Sequence, residues 1–166
     1  MEEPIADFSR VFLFVLWEKA RSEEARVAAE VAANFRVLED FEAAWPRGEF
    51  VSRLGEFYDE RNWWKWFKKA WRCGRGPMRV LVVEDPAPRF ELRSPHSRTP
   101  ENMRVVDLKN RCRTWIPCKW AIHASTEAVE TRRQYRLLKA AKRVAMTGGE
   151  SVCPETVAPP ENRRRR

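Results

Sequence analysis

The sequence predicts an α+β fold with N-terminal helices, a small sheet of three or four strands, and a long basic C-terminal helix. Three observations predict this order. Apolar residues recur at spacings of three and four as far as about residue 72, as on one face of a helix. Short β-branched runs bounded by proline and glycine follow, which indicate strands. A helical spacing returns after about residue 125 and predicts the last element.

The first two predicted helices lie before residue 46. Residues 5–20 are apolar nearly all round, which predicts a buried helix. The second helix is expected to begin after Ser22, a residue type that caps helix N-termini, and to end at Trp45-Pro46. Its apolar positions are Val27, Val31, Phe35, Leu38 and Phe41.

A third helix is predicted from Phe50 to Arg72. At 100° per residue, one face of this helix is expected to be core. That face holds Phe50, Leu54, Phe57, Trp64, Phe67 and Trp71. On the same helical wheel, Trp66 points almost the opposite way and Trp63 lies beside it, so both are predicted to be exposed.

Four short strands and one helix are predicted in the second half. The strands cover residues 79–83, 90–92, 103–108 and 114–122. Pro117 lacks an N–H donor, so the fourth is expected at an edge of the sheet. The final helix is predicted from a Ser125 cap to about residue 146, where Gly148-Gly149 stops it.

The length of 166 residues fits one domain. We expect a globular domain over residues 1–149, with a helical half at 1–72 and a sheet plus helix at 73–149. Residues 150–166 are proline-rich and end in four arginines, which predicts a disordered basic tail. No apolar run approaches the ~18 residues of a membrane helix, and the acidic start is unlike a signal peptide. We therefore expect a cytoplasmic or nuclear protein without a membrane partner.

Charge is divided unevenly along the chain. Residues 1–60 carry 14 acidic and 7 basic side chains, whereas residues 61–166 carry 10 acidic and 25 basic ones. Such a division predicts that the second part faces a polyanion, although a composition bias gives the same excess of arginine. The acidic part could mediate a homodimer. It could also pack on the basic part and mute its charge.

The final predicted helix carries the best binding pattern. Arg132, Arg136, Lys139 and Arg143 recur at i, i+4, i+7 and i+11, which places four cations in one stripe. Cations at such a spacing suit the phosphates of a nucleic acid. The alternative is an ordinary solvated helix face.

The segment 62–71 carries the second binding pattern. Exposed Trp63 and Trp66 could stack on bases, with Lys65, Lys68 and Lys69 nearby to hold the backbone. Core packing is the alternative for such residues, and anchoring of a protein partner is a third interpretation, since Trp is a common interface hot spot.

A third pattern concerns metal ligands. Cys112, Cys118 and His123 are three soft ligands within twelve residues, but their spacing matches no standard zinc finger. Free buried thiols are the alternative. We therefore assign no metal and no cofactor.

A fourth pattern concerns carboxylates near predicted strands. Asp107 and Lys109 would share one face of a strand, and Glu84-Asp85 end an earlier one. This arrangement resembles the D…(D/E)xK pattern of the PD-(D/E)xK nuclease superfamily, and Gln134-Tyr135 is similar to the Q-x-x-Y region of some members. The resemblance implies that the carboxylates hold Mg²⁺ and the lysine supports the attacking water. The alternative is a surface pair.

These patterns favour a non-enzymatic nucleic-acid-binding accessory protein, of a kind that compact viral or phage genomes encode. Two alternatives remain. One is an adaptor that engages a protein partner through residues 1–72, and the other is the Mg²⁺-dependent nuclease. No glycine-rich phosphate loop and no nucleophile elbow is present in the sequence.

Overall fold

The structure, a computed structural model, describes residue 5 and residues 7–143. It confirms the α+β class, because the described residues form five α-helices, a four-stranded antiparallel sheet and a two-stranded ribbon. The elements are β1 (Val11–Leu16), α1 (Glu24–Asn34), β2 (Arg36–Ala43), α2 (Phe50–Tyr58), α3 (Trp63–Cys73), β3 (Met78–Glu84), β4 (Phe90–Glu91), β5 (Glu101–Asn102), α4 (Met103–Arg113), β6 (Ile122–Ala124) and α5 (Ala128–Ala140). Short 3-10 helices cover Glu18–Glu23 and Lys119–Ala121.

Strand β1 is an inner strand of the sheet, whose order is β2-β3-β1-β6. It pairs with β3 from Val11↔Glu84 to Leu16↔Arg79 and with β6 through Val15↔His123. Every residue of β1 is buried. The predicted helix over residues 5–20 is therefore wrong, because a strand buried on both faces loses the alternation that distinguishes it from a buried helix.

The second predicted helix is correct only in its first part. Helix α1 ends at Asn34, and the chain continues directly into β2, which pairs with β3. Phe41 and Ala43 are buried from this strand, whereas Leu38 is exposed. Apolar residues three apart fit both a helix and an irregular edge strand. Residues 36–43 form a strand because they pair with β3.

The third predicted helix is two helices. Asp59 adopts a left-handed conformation at φ 54° and ends α2. Asn62 then caps α3, since its side chain accepts a hydrogen bond from the backbone N–H of Lys65 at 3.3 Å. The break changes the helical phase. Trp66 consequently faces the core at 4% exposure, while Trp64 and Trp71 are 59% and 73% exposed.

Helix α4 occupies residues that were predicted as a strand over 103–108. The Asn102 side chain caps it by accepting a hydrogen bond from the backbone N–H of Arg104 at 3.1 Å. The helix buries Val105, Leu108 and Cys112 against the core. Of the predicted strand over 114–122, only its last residue enters the sheet, as the first of β6.

Ser125 links β6 to β1 and does not cap α5. Its hydroxyl accepts a hydrogen bond from the backbone N–H of Leu13 at 2.8 Å, and its own N–H donates to Leu13 at 3.0 Å. Helix α5 begins two residues after Thr126, whose N–H donates to Glu130 at 3.1 Å. The predicted helix end near 146, the Gly148-Gly149 stop and the tail over 150–166 lie outside the described residues.

Within the described part of the chain, no helix combines the length and apolar character needed to cross a membrane.

Candidate functional site

A cavity of about 410 Å³ opens between α3 and the segment that leads from α4 to β6. We call it the basic cleft. Its lining residues are Tyr58, Glu60, Lys65, Trp66, Lys68, Lys69, Arg72, Arg113, Trp120 and His123. Five of them are cations and one is an acid. Glu60 is already paired with Lys65 at 2.5 Å, so the other four cations set the charge of the cleft.

The positive charge comes mainly from α3. Residues 61–83 contain seven basic side chains and no acidic one. A larger cavity of about 680 Å³ lies on the other side of Trp66, but Glu56, Asp59 and Glu60 oppose its single cation, Arg61. The basic cleft is therefore the better site for an anion.

Two buried polar atoms of the cleft lack a partner. The Tyr58 hydroxyl and Arg113 Nε are inaccessible to solvent and have no hydrogen-bond partner among the described residues. An unpaired buried polar group costs about 1–3 kcal/mol. Both atoms belong to residues that line the basic cleft.

Trp66 forms the floor between the two cavities. Its indole stacks on the Tyr58 ring at 4.6 Å with an interplanar angle of 5°, and its Nε1–H donates to the Glu60 carbonyl at 2.7 Å. The prediction that Trp66 is exposed for stacking on a base is thus wrong. The broken helix places this residue in the core.

Lys69 lies at the inner end of the cleft. Its ammonium is 4.6 Å from the centroid of the Tyr58 ring, and burial lowers the pKa of Lys69 below its ordinary value. Lys69, which the sequence predicts as a binding residue, therefore lines the basic cleft. A partly desolvated ammonium interacts more strongly with an anion than one in open solvent.

His123 separates the basic cleft from a second, polar cavity of about 370 Å³. The Gln134 amide nitrogen faces two acceptors, the Phe57 carbonyl at 3.3 Å and Glu130 at 3.0 Å. The Gln134 carbonyl oxygen therefore faces His123 Nε2, at 2.9 Å, and this places the imidazole proton on Nε2. Burial, followed by the charges of Lys69 and Lys109, lowers the pKa of His123 well below its ordinary value. The imidazole is consequently neutral at pH 7.

The polar cavity mixes both signs of charge. Lys109 from α4 lines it at 7% exposure, with its ammonium 3.4 Å from the Ala124 carbonyl. Burial lowers the pKa of Lys109 to about 8. Glu101, Glu127 and Glu130 line the same cavity, so it is a poorer site for a polyanion than the basic cleft.

Acidification is expected to destabilise the protein through His123. In the unfolded chain His123 has an ordinary pKa near 6.5, so it binds a proton at mildly acidic pH, whereas in the folded protein it stays neutral there. The free energy of unfolding should therefore fall as pH drops below about 6.5, by up to about 1.4 kcal/mol per pH unit. Urea unfolding at pH about 7 and about 5.5 measures this.

His123→Gln should remove this part of the pH dependence, whereas His96→Gln, which changes an exposed loop residue, should leave it intact. Burial raises the pKa of Glu130, so its protonation acts in the opposite direction in both proteins. The comparison between the variants isolates His123. An unchanged pH dependence in His123→Gln would contradict this account.

The predicted cationic stripe of α5 is only partly available. Arg132 and Arg136 are exposed. Lys139 forms an ion pair with Glu39 of β2, and Arg143, which lies beyond the end of α5, pairs with Glu42 at 2.8 Å. Acidic residues of the N-terminal part therefore neutralise two of the four cations of the stripe. This is the intramolecular packing of the acidic part on the basic part that the charge distribution left open.

The exposed aromatic residues are distributed differently from the prediction. Trp63 is 56% exposed, as expected, and stacks on Trp64 at 4.1 Å. Trp64, Phe67 and Trp71 were predicted to be core and are exposed instead. We call Trp63, Trp64, Phe67 and Trp71 the aromatic surface.

The zinc and nuclease arrangements are not formed as predicted. Among the described residues, no three His, Cys, Asp or Glu side chains lie together as a metal-binding group, so Cys112, Cys118 and His123 do not converge. Asp107 and Lys109 lie on a helix, where residues two apart point in different directions.

The nuclease carboxylates have structural partners. Asp107 pairs with Arg89 at 3.2 Å and Glu84 with Arg36 at 3.3 Å, both at the surface. Asp85 is fully buried and accepts hydrogen bonds from Asn102 and Arg104. Tyr135 donates to Glu39 at 2.6 Å.

The sequence indicated the lysines of α3 but not Tyr58, Arg113, Trp120 or the position of His123 between the two cavities. These residues come from separate elements, and only the fold brings them together. The acid-free run over residues 61–83 was the signal that could have located the cationic wall.

No protein-family model and no curated protein matches the chain. Thirty-one chains of solved structures match it. One of them comes from the orthorhombic crystal form C222 of the Aquifex aeolicus nucleoside diphosphate kinase. It is 18% identical, and the match covers 77% of this chain and 93% of that chain with a TM-score of 0.49. We draw no functional conclusion from a similarity at this level.

Proposed function

We propose that this protein is a non-enzymatic nucleic-acid-binding accessory protein that holds phosphates in the basic cleft. The observation that carries the proposal is that Lys68, Lys69, Arg72 and Arg113 line one cleft without an ion-pair partner among the described residues, because its one acid, Glu60, is paired with Lys65. Phosphate oxygens satisfy such donors and supply the opposite charge. The cleft replaces the α5 stripe as the main contact.

Trp120 supports a ligand that carries a base as well as a phosphate. It lines the cleft, is 42% exposed, and has the Arg72 guanidinium 5.5 Å from its ring. An exposed indole beside cations suits stacking of a base whose phosphate is bound nearby. Inorganic anions alone would not require it.

The other two functions lose part of their basis. The adaptor depended on a helical half over residues 1–72, yet this part supplies β1 and β2 to the sheet. It also depended on an exposed Trp66, which is buried. The nuclease depended on a strand at residues 103–108, which is helical.

The experiment is a fluorescence anisotropy titration of a labelled oligonucleotide with two charge-matched double variants. Lys68→Gln with Lys69→Gln alters the cleft, and Arg132→Gln with Arg136→Gln alters α5. We expect the cleft variant to weaken binding by at least about tenfold, because charge-assisted contacts contribute about 1.5–3 kcal/mol each. The α5 variant should change affinity by less than about threefold.

Circular dichroism of both variants controls for folding. Equal losses in the two variants would move the binding site to α5 or to charge in general. An absence of binding by the wild-type protein at low salt would refute the proposal.

A further inference from the structure

The aromatic surface is an exposed apolar patch on one helix. Trp63, Trp64, Phe67 and Trp71 are 44–73% exposed, and they share one side of α3. Large apolar side chains that are exposed together mark interaction sites more often than isolated ones do. Burial of the opposite side, through Trp66, Ala70 and Cys73, holds this surface outward.

Cations border the aromatic surface. The Arg75 guanidinium lies 5.3 Å from the centroid of the Phe67 ring, and the Lys19 ammonium lies 5.4 Å from that of Trp71. Lys19 also donates to the Trp71 carbonyl at 2.9 Å, which fixes its position. Residues 61–83 hold no acid, and Glu18 is engaged by the backbone N–H groups of Arg75 and Gly76, so the local charge favours an anionic partner that can also cover aromatic rings.

The shape of the adjoining cleft distinguishes among anionic partners. Lys68 and Lys69 follow the aromatic surface around α3 into the basic cleft, where Lys69 is largely buried. A flat lipid surface cannot reach a recessed ammonium. A duplex covers the faces of its bases, so it can stack only through its ends. A single strand offers both accessible base faces and phosphates that enter a cleft.

The spacing of the rings agrees with such a strand. Trp64 and Trp71 are seven residues apart in the helix, with Phe67 between them, so the three rings span about 10 Å at 1.5 Å per residue. This length matches about three stacked bases at 3.4 Å each. We infer that the nucleic acid is single-stranded, with bases on the aromatic surface and phosphates in the basic cleft. The inference depends on the proposed function and specifies its ligand.

The test compares a single-stranded oligonucleotide with its duplex, using Trp64→Ala with Trp71→Ala and a control variant. Both residues are exposed, so the fold should be retained. Removing one stacking ring should weaken single-strand binding roughly 5- to 150-fold, so the double variant, which removes two rings, should bind at least about fivefold more weakly. Phe90→Ala, which removes a 45% exposed ring elsewhere, should have less than about a twofold effect. Wild-type protein should prefer the single strand.

Two outcomes would overturn the inference in distinguishable ways. If the duplex binds equally well and the aromatic variant binds normally, while Lys68→Gln with Lys69→Gln weakens binding, the proposed function stands and the single-strand assignment fails. If wild-type protein binds neither nucleic acid but binds phosphatidylserine vesicles, and the aromatic variant does not, both fail and the surface is a lipid-binding one.

Discussion

Trp66→Ala is expected to lower the free energy of unfolding by about 3–5 kcal/mol, a cost typical of truncating a buried aromatic side chain. The indole is 4% exposed, stacks on Tyr58 and donates to the Glu60 carbonyl. Its removal leaves a void between α2 and α3 and an unpaired carbonyl oxygen. Urea unfolding monitored by circular dichroism measures the change.

Trp64→Ala is the matched control, since it removes the same side chain from the same helix. At 59% exposure, it should change stability by less than about 0.5 kcal/mol. The helical wheel of an unbroken helix predicts the reverse order. A larger loss from Trp64→Ala than from Trp66→Ala would therefore contradict the break at Asp59.

Asp85→Ala is expected to have a similarly large effect, about 3–5 kcal/mol, because it leaves the buried Asn102 amide without its acceptor and the half-buried Arg104 without its carboxylate. The carboxylate is fully buried. It accepts hydrogen bonds from the Ala87 N–H at 3.0 Å, from Asn102 at 2.8 Å and from Arg104. These bonds join the end of β3 to the start of α4.

Asp107→Ala is the surface control for Asp85→Ala, since it removes the same type of side chain from an exposed ion pair. Asp107 is exposed and pairs with Arg89 at the surface, so its loss should cost less than about 1 kcal/mol. If Asp85→Ala proved as stable as the wild-type protein, the buried network would be refuted as a structural element.

The sequence predicted the class of the fold but misassigned several elements for identifiable reasons. Strand β3 follows from its β-branched run, and α5 from its spacing. Strand β1 is apolar at every position because both faces are covered, which periodicity cannot tell from a buried helix. Helix α4 begins at its Asn102 cap, and the short apolar run over residues 103–108 does not by itself distinguish a helix from a strand.

The candidate site was predictable only where it lies on one element. Lys69 was identified because it belongs to the basic, Trp-rich segment of α3. The burial of its neighbours Tyr58 and Trp66 could not be predicted without knowing that the helix breaks at Asp59. The break rotates the second helix relative to the first and so decides which indole is buried. His123 and Arg113 required long-range pairing, which a single sequence does not show.

The salt dependence of oligonucleotide binding tests the central claim most directly, because each phosphate contact releases counterions. For the wild-type protein, the logarithm of the association constant should fall linearly with the logarithm of salt concentration. The account predicts that Lys68→Gln with Lys69→Gln makes this slope shallower by about one for each lysine that contacts a phosphate, and that Arg132→Gln with Arg136→Gln leaves it unchanged. A slope that is unchanged in the cleft variant, or reduced only in the α5 variant, would contradict the account.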